Sequence, residues 1–447
     1  MEKFSVCIAG GGSRYTPGII NMLASQRERF PLKRLVLFDC ERERQAKVAA
    51  YARILFGECY PDCEIVETCD LDSAFIDVDF VFLQIRAGRL AMREKDEKIA
   101  IAHGCVGQET CGPGGFAYAL RSVPAVCEIT RAVRRQSPDA WILNYTNPDA
   151  IIAEAMRQVF PDDDRIICIC DMPIGLTEIF ELLLDPEGEE GVKLDPRYFG
   201  LNHFGWFEHL YDQNGRDRLE EVREIIAHMD PIQPGELGLD EDWAFTYNFM
   251  QTQVRDLPGY IPNNYLQYYL YPKAMFAHQD PNYTRANMVM DGDERETFEQ
   301  LDRIIELGRI RGTEFEEEAG ETDSHGEYIV DLALALAYGT GEDFVLMTVN
   351  DGIIPNLSSD MVVEVPCRVG VDGVRPYRQG PAPTFQKGLM ENQHAYERLT
   401  VEACLEGSYV KALQALTLNR CVNDLPTARA LLEDYMVANE GWWPELR

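Results

Sequence analysis

An apolar run, Arg165-Ile166-Ile167-Cys168-Ile169, ends in a thiol and a carboxyl, Cys170 and Asp171, with Pro173 two residues on. A thiolate is a ligand for a borderline divalent metal, and an acid beside it is placed to move a proton. His203, isolated among the aromatics of Phe199-Gly200-Leu201-Asn202-His203-Phe204-Gly205-Trp206-Phe207, is of the right type to join the thiolate. Two protein ligands leave positions open for substrate oxygens and water. Plainer readings stand beside this one: Cys170 as a buried apolar thiol, Asp171 as a helix N-cap, His203 as a core imidazole within a strand.

Other segments carry complementary chemistry. Phe4 to Ala9 reads as a short buried strand and runs into Gly10, Gly11, Gly12 and Ser13, then a helical pattern from Gly18. Strand, glycine loop and helix N-terminus make a cradle for a pyrophosphate. The third fingerprint glycine is replaced by Tyr15. Asp39 closes the run Leu35-Val36-Leu37-Phe38, where a ribose-binding carboxylate of an NAD site stands, and a carboxylate there repels the 2′-phosphate of NADP. Its spacing is a few residues long, which an extended first helix absorbs, and it could equally cap a helix starting near Glu41.

Arg86 follows the strand-like Val78 to Ile85, and Arg93 follows in turn, a bidentate clamp for a phosphate or carboxylate or, for Arg93, one charge on a solvated helix face. Glu109 sits in the glycine-rich Gly107 to Gly115, read as an irregular loop, where it accepts a substrate hydroxyl or simply faces water. Tyr265, Tyr268 and Tyr269 read first as packing. A phenol beside a metal ion or an arginine such as Arg285 has its pKa lowered and becomes a base.

The elements that must position these groups repeat one design. Strands ending at Ala9, Tyr145 and Cys170 hand over to helices through polar turns, the second carrying Thr146-Asn147-Pro148. In an open parallel sheet such turns share the carboxyl edge, where ligands bind. The expected fold is α/β: an N-terminal Rossmann-like doubly wound parallel sheet over residues 1–195, bearing NAD, then an α+β domain over 196–447 for substrate, metal and oligomerisation. A helix around Val123 to Arg134, the segment Asp323 to Tyr328 and a strand at Met361 to Pro366 complete the outline.

At 447 residues and 46% hydrophobic content the chain supports a substantial core. Lys plus Arg number 42 against 75 Asp plus Glu, a net charge of −33, which argues against nucleic acid and anionic membranes as partners. An anionic substrate therefore needs a local reversal of sign. Thirteen cysteines without repeating spacing suit reduced thiols, and no signal peptide or spanning run is legible, so the expected location is the cytoplasm.

Together, Gly10-Gly11-Gly12-Ser13, Thr16-Pro17, Gly107-Gln108-Glu109-Thr110, Thr146-Asn147-Pro148, Cys170-Asp171-Met172-Pro173, Gly200-Leu201-Asn202-His203 and His325-Gly326-Glu327-Tyr328 resemble glycoside hydrolase family 4 over nearly the whole chain. In that family the tetrapeptide starting at the metal cysteine tracks substrate class, and Cys-Asp-Met-Pro looks like the subgroup acting on α-linked 6-phosphoglucosides such as maltose 6′-phosphate. The resemblance implies NAD and a divalent metal, Mn²⁺ by family although spacing alone suits Zn²⁺ or Fe²⁺ equally.

It also implies chemistry unlike the two-carboxylate scheme of most glycosidases. The C3 hydroxyl is oxidised, the C2 proton leaves, the glycosidic bond breaks by elimination, water adds back and C3 is reduced again. On this implication Cys170 and His203 hold metal, Tyr265 takes the C2 proton, and Asp171 protonates the departing oxygen. Arg86 and Arg93 meet the 6-phosphate, and Glu109, Asn147, Asn202 and Arg285 line the sugar. A homodimer or homotetramer is the implied assembly. The alternatives are a 6-phospho-β-glucosidase, an unphosphorylated α-glycosidase, or an NAD-dependent hydroxy-acid dehydrogenase that uses His203 as acid and base.

Overall fold

A computed structural model describes residues 3–236, 239–320 and 324–447. Asp323 lies outside the described residues, as does the side chain of His325. Six strands form a parallel sheet: β1 Phe4–Ala9, β2 Leu32–Phe38, β3 Glu64–Thr68, β4 Phe80–Leu83, β5 Trp141–Asn144 and β6 Ile166–Cys168, in the order β3-β2-β1-β4-β5-β6. Every residue of β1, β4 and β5 is buried, as strands covered on both faces require, which is why they read as unbroken apolar runs and not as alternation. The strand order reverses between β1 and β4. The loops leaving those two strands therefore diverge and open a crevice at the carboxyl edge, the place where such sheets bind ligands.

The second sheet is antiparallel, with strands β7 Leu194–Leu201, β8 Phe204–Asp212, β9 Ile261–Pro262, β10 Glu342–Val349 and β11 Val362–Gly370 in the order β10-β11-β7-β8-β9, and β12 Gly373–Pro376 beside β11. The boundary expected at 195/196 falls inside β7. Successive side chains of β1 point to opposite faces. Val6 and Ile8 join a core that runs on into Phe204, Trp206 and Leu266. Cys7 and Ala9 join one closed by Tyr396, Val401, Leu431 and Tyr435 from the C-terminal helices. The last helices of the chain thus pack beneath its first strand.

Two expectations are corrected. The segment Gly112 to Gly115 is not irregular loop but the first turn of a helix, Gly112–Gln136. The glycines are there for space: a Cβ on Gly114 would lie 2.3 Å from the Gln108 carbonyl oxygen, and one on Gly115 1.9 Å from that of Thr110. The aromatic run from Phe199 to Phe207 is not one strand but two, β7 and β8, joined by a turn at Asn202-His203, with His203 at φ +57°. Histidine is among the residues enriched in that left-handed region. Gly200 and Gly205 oppose one another across the turn, and a Cβ on Gly200 would lie 2.2 Å from the Gly205 Cα.

The helix Thr384–Glu406 packs against Asp149–Val159 and buries Glu397, whose one hydrogen bond among the described contacts comes from Gln393 at 2.9 Å. Burial pushes the Glu397 carboxyl up to about 8, with the nearby Glu154 charge adding to it. A carboxyl raised in the folded state contributes stability that is complete below its unfolded pKa, about 4.3, and is lost as pH rises toward about 8. Glu397→Gln is expected to flatten that part of the stability–pH profile and to raise the midpoint of urea unfolding at pH 8. Urea titrations of both proteins at pH 5 and pH 8 measure it.

Candidate active site

Chain order and sheet topology bring Cys170, Asp171, His203 and Tyr265 together. Beyond the end of β6, Ile169 still donates to the Asn144 carbonyl at 3.0 Å, so Cys170 leaves the sheet at its carboxyl edge. Asp171 occupies the N-cap position of the helix Met172–Leu184, with Pro173 in the first turn. Its side chain makes no capping hydrogen bond. The hairpin turn between β7 and β8 delivers His203 to the same place: Cys170 Sγ and His203 Nε2 are 3.4 Å apart. The ring of Tyr265 stacks on that of His203, centroids 4.0 Å apart and 5° from parallel.

The pair fits a divalent ion. At 3.4 Å, Sγ and Nε2 are close enough for both to ligate one cation. Burial lowers the His203 imidazole to about 4, against the pull of Asp171 and Glu109, so the ring is neutral and its lone pair is available. Burial, then the Asp171 and Glu364 carboxylates, push the Cys170 thiol well above its usual range. A thiolate in that setting calls for a cation beside it. Among the described residues no third His, Cys, Asp or Glu completes a protein-only cage, and Oδ1 of Asn202 is buried without a hydrogen-bond partner.

Behind this pair stands a residue that motif reading missed. Glu364, fully buried on β11, accepts from Asn202 Nδ2 at 3.0 Å and so fixes the amide next to His203. Burial raises its carboxyl to about 7, against hydrogen bonds from Asn202 and Tyr198. A lone carboxylate within Val362-Val363-Glu364-Val365 was the available signal, because a charge inside a buried strand must serve something.

Tyr265 is half-buried, and burial followed by Tyr268 and Glu109 holds its phenol well above the ordinary range. The arginine expected to lower it faces elsewhere. Arg285 pairs with Asp240 at 2.5 Å and reaches toward Asp242 at 3.8 Å, and its charge acts on Tyr268. A cation held by Cys170 and His203 would suit Tyr265, whose ring stacks on that imidazole.

The glycine loop closes against β2 and β4. A Cβ on Gly10, at φ +97°, would lie 2.4 Å from the Gln84 carbonyl oxygen, and one on Gly11 would lie 2.9 Å from Leu37 Cβ. Ser13 N–H returns to the Gly10 carbonyl at 2.9 Å, and Gly12 N–H donates to Asp39 Oδ2 at 2.8 Å. Asp39 Oδ1 accepts from Glu41 N–H at 2.9 Å, so the carboxylate pins the loop with both oxygens. The buried Oε1 of Gln84 has no hydrogen-bond partner beside this loop. Backbone held this close to the helix Thr16–Ser25 fits a pyrophosphate, and Asp39 stands at the end of β2 beside it.

Arg86, Arg93 and Glu109 meet in one cluster: Glu109 Oε2 lies 2.6 Å from Arg86 and 3.0 Å from Arg93, and Arg93 Nε also pairs with Glu97 at 2.6 Å. Burial works against the Glu109 charge, yet Arg86 and Arg93 outweigh it and bring the carboxyl to about 2. Arg93, Asp96 and Glu97 are buried, so this stretch of the helix Arg89–Ala102 is not the solvated face that its charges suggest. Asp96 pairs with Arg121, which also donates to the Ala87 carbonyl at 3.1 Å and holds the loop carrying Arg86. Asn147 lies half-buried in the turn after β5, on the same edge.

Comparison with known proteins agrees in outline. The profile described as "Family 4 glycosyl hydrolase" matches residues 5–185, and "Family 4 glycosyl hydrolase C-terminal domain" matches residues 198–422. The chain is similar to the phospho-alpha-glucosidase PagL of Clostridium acetobutylicum, 55% identical over all of both chains. It is also similar to the maltose-6′-phosphate glucosidase of Bacillus subtilis, 45% identical over all of this chain and 98% of that one. A crystal structure of a 6-phospho-alpha-glucosidase from gut microorganisms in complex with NAD and Mn²⁺ superposes with a TM-score of 0.95 at 43% identity, covering both chains fully. With profiles matching both halves and relatives aligned from end to end, the chain belongs to glycoside hydrolase family 4.

Proposed function

We infer that the chain is an NAD- and divalent-metal-dependent 6-phospho-α-glucosidase, hydrolysing α-linked 6-phosphoglucosides such as maltose 6′-phosphate. The observation that carries this is the 3.4 Å approach of Cys170 to His203, with Asp171 next in chain and Tyr265 stacked on the imidazole, at the edge of a sheet built for a dinucleotide. The relatives at 55% and 45% identity act, by their names, on phosphorylated α-glucosides, and the NAD- and Mn²⁺-bound neighbour supports the same cofactors here.

When bound, NAD supplies a reversible hydride acceptor for the sugar's C3, and the divalent ion, Mn²⁺ by this reading, supplies Lewis acidity at the C2 and C3 oxygens. Cys170 and His203 hold that ion. Gly10, Gly11, Gly12, Ser13 and Asp39 seat the dinucleotide. Tyr265 is placed to take the C2 proton, and Asp171 to give one to the departing glycosidic oxygen. Arg86 and Arg93 supply the local positive charge that a 6-phosphate needs in a chain of net charge −33, with Glu109 their counter-ion until substrate arrives. Asn147 and Asn202 orient sugar hydroxyls, and Arg285 borders the sugar through the elements it holds.

Hydrolysis of p-nitrophenyl α-glucoside 6-phosphate with Mn²⁺, reductant and a trace of NAD⁺ tests the reading, alongside the β-anomer and the unphosphorylated glucoside. Nitrophenol released far beyond the NAD⁺ supplied, from the α-phosphate alone, is the expected result. Steady accumulation of NADH from a hydroxy acid, without glycoside cleavage, would make the chain a dehydrogenase. Among the described residues no helix is long and apolar enough to cross a membrane. The same reading places the chain in the cytoplasm as a homodimer or homotetramer, which light scattering on the purified protein measures.

A further inference from the structure

We propose that the helix Glu241–Asp256 forms the leaving-group subsite, with Trp243 and Tyr247 as an aromatic platform for an uncharged pyranose and Glu178 as an acceptor for its hydroxyls. The inference rests on the reading of Tyr265 and Asp171 as the groups that flank the scissile bond.

Trp243 and Tyr247 stand four residues apart, on one face of the helix. The indole meets the Tyr265 ring edge-on, centroids 6.3 Å apart and 80° between planes, and lies 6.0 Å from the Tyr247 ring. Both rings keep accessible surface, whereas Ala244, Thr246 and Met250 of the same helix are buried. Tyr247 packs on the apolar cluster that holds Leu176 and Phe180 of the helix Met172–Leu184, as does Met172 next to Asp171, and burial followed by the Asp171 and Glu178 carboxylates raises the Tyr247 phenol to about 12. The two rings therefore continue from Tyr265 toward the helix that begins after Asp171.

The chemistry assigns that place. The proton leaves C2 and the leaving oxygen sits on C1, one bond away, so whatever hangs on that oxygen extends past Asp171 on the side opposite the 6-phosphate. An indole and a phenol there offer apolar faces to the C–H face of a pyranose, while the rim hydroxyls require acceptors. Glu178, two turns along from Asp171 on the helix Met172–Leu184, is exposed and supplies two carboxylate oxygens. Its strongest charged neighbours are Glu181, Glu327 and Asp171 against Lys193.

The two ends of the site thus carry opposite sign. A disaccharide with one phosphate is held one way round, the phosphorylated ring toward Arg86 and Arg93 and the uncharged ring on Trp243. The platform is fixed in place: Asp240 caps the helix through Trp243 N–H at 2.9 Å, and Arg285 binds Asp240 at 2.5 Å. This gives Arg285 a positioning role.

The test uses the NAD- and Mn²⁺-loaded enzyme on three α-glucoside 6-phosphates whose leaving groups are glucose, methanol and gluconate. For Trp243→Ala and Tyr247→Ala the expected result is a fall of about tenfold or more in the kcat/KM ratio of the glucose over the methyl substrate, the scale of one aromatic contact. Trp243→Phe, which keeps a ring against Tyr265, should lose about half of that effect on a logarithmic scale. Glu178→Gln should narrow the wild-type preference for glucose over gluconate by about threefold or more. Equal losses on the glucose and methyl substrates would make Trp243 a mere support for Tyr265 and overturn the proposal, as would no change in the ratio. If the wild type cleaves none of the three, the glycosidase reading itself falls; if it cleaves them and the variants leave the ratios unmoved, only the subsite does.

Discussion

Cys170→Ser is expected to lower kcat for glycoside cleavage by at least about a thousandfold, about 4 kcal/mol of transition-state stabilisation, while NAD⁺ still binds. Serine keeps the size of the side chain and loses the anion, since its hydroxyl does not ionise at neutral pH. His203, 3.4 Å away, is then a single neutral ligand in a buried pocket. The C2 proton is acid enough to leave only if charge developing on the sugar oxygens is met, and Arg86 and Arg93 do not take the ion's place, because both are paired with Glu109. The measurement is kcat over a Mn²⁺ titration into the millimolar range, with NAD⁺ binding followed by tryptophan fluorescence. Full activity of the serine variant would sink the ligand assignment. Mild oxidation of Cys170 should abolish activity in the wild type, and reductant with Mn²⁺ should restore it.

Tyr265→Phe should cost kcat about 10²- to 10⁴-fold, the usual worth of a positioned general base. The substitution is clean because the ring is what stacks on His203, centroids 4.0 Å apart, and the ring stays. Only the phenolic oxygen is lost. The diagnostic readout is isotopic: in D₂O the wild type should place deuterium at C2 of the glucose 6-phosphate product, and Tyr265→Phe should slow the appearance of that C2-deuterated product in step with kcat. Tyr268→Phe is the control, since Arg285 acts on Tyr268 and the His203 stack belongs to Tyr265. Slowed appearance of that product in the Tyr268 variant alone would transfer the base to that residue.

The pieces of this site were legible in the sequence where they follow a local rule. A buried parallel strand is an apolar run, and its carboxyl end is marked by the polar residue, glycine or proline that stops it. That is why Gly10 to Ser13, Asp39, Thr146-Asn147-Pro148 and Cys170-Asp171 stand where they were expected along one sheet edge. Where two local rules compete, the sequence misleads. Gly112 to Gly115 reads as loop because glycine disfavours helix, yet the backbone packed against Gly114 and Gly115 leaves no room for a Cβ, and the helix begins there. His203 reads as a strand residue because its neighbours are aromatic, yet it forms the hairpin turn.

What the sequence determined alone is the inventory and its order: a dinucleotide loop, a thiol followed by an acid, an imidazole, paired arginines and a group of tyrosines, on alternating strands and helices. Hydrophobic period and chain punctuation carry that information because they depend on near neighbours. Which groups touch was decided by tertiary structure. Glu109 between Arg86 and Arg93, Glu364 behind Asn202, Arg121 under the Arg86 loop and Trp243 against Tyr265 are contacts between residues 16 to 162 positions apart. A charge–charge or ring contact acts over a few ångströms and leaves no periodic trace along the chain, so only the packing of two sheets and the helices between them brings those partners within reach.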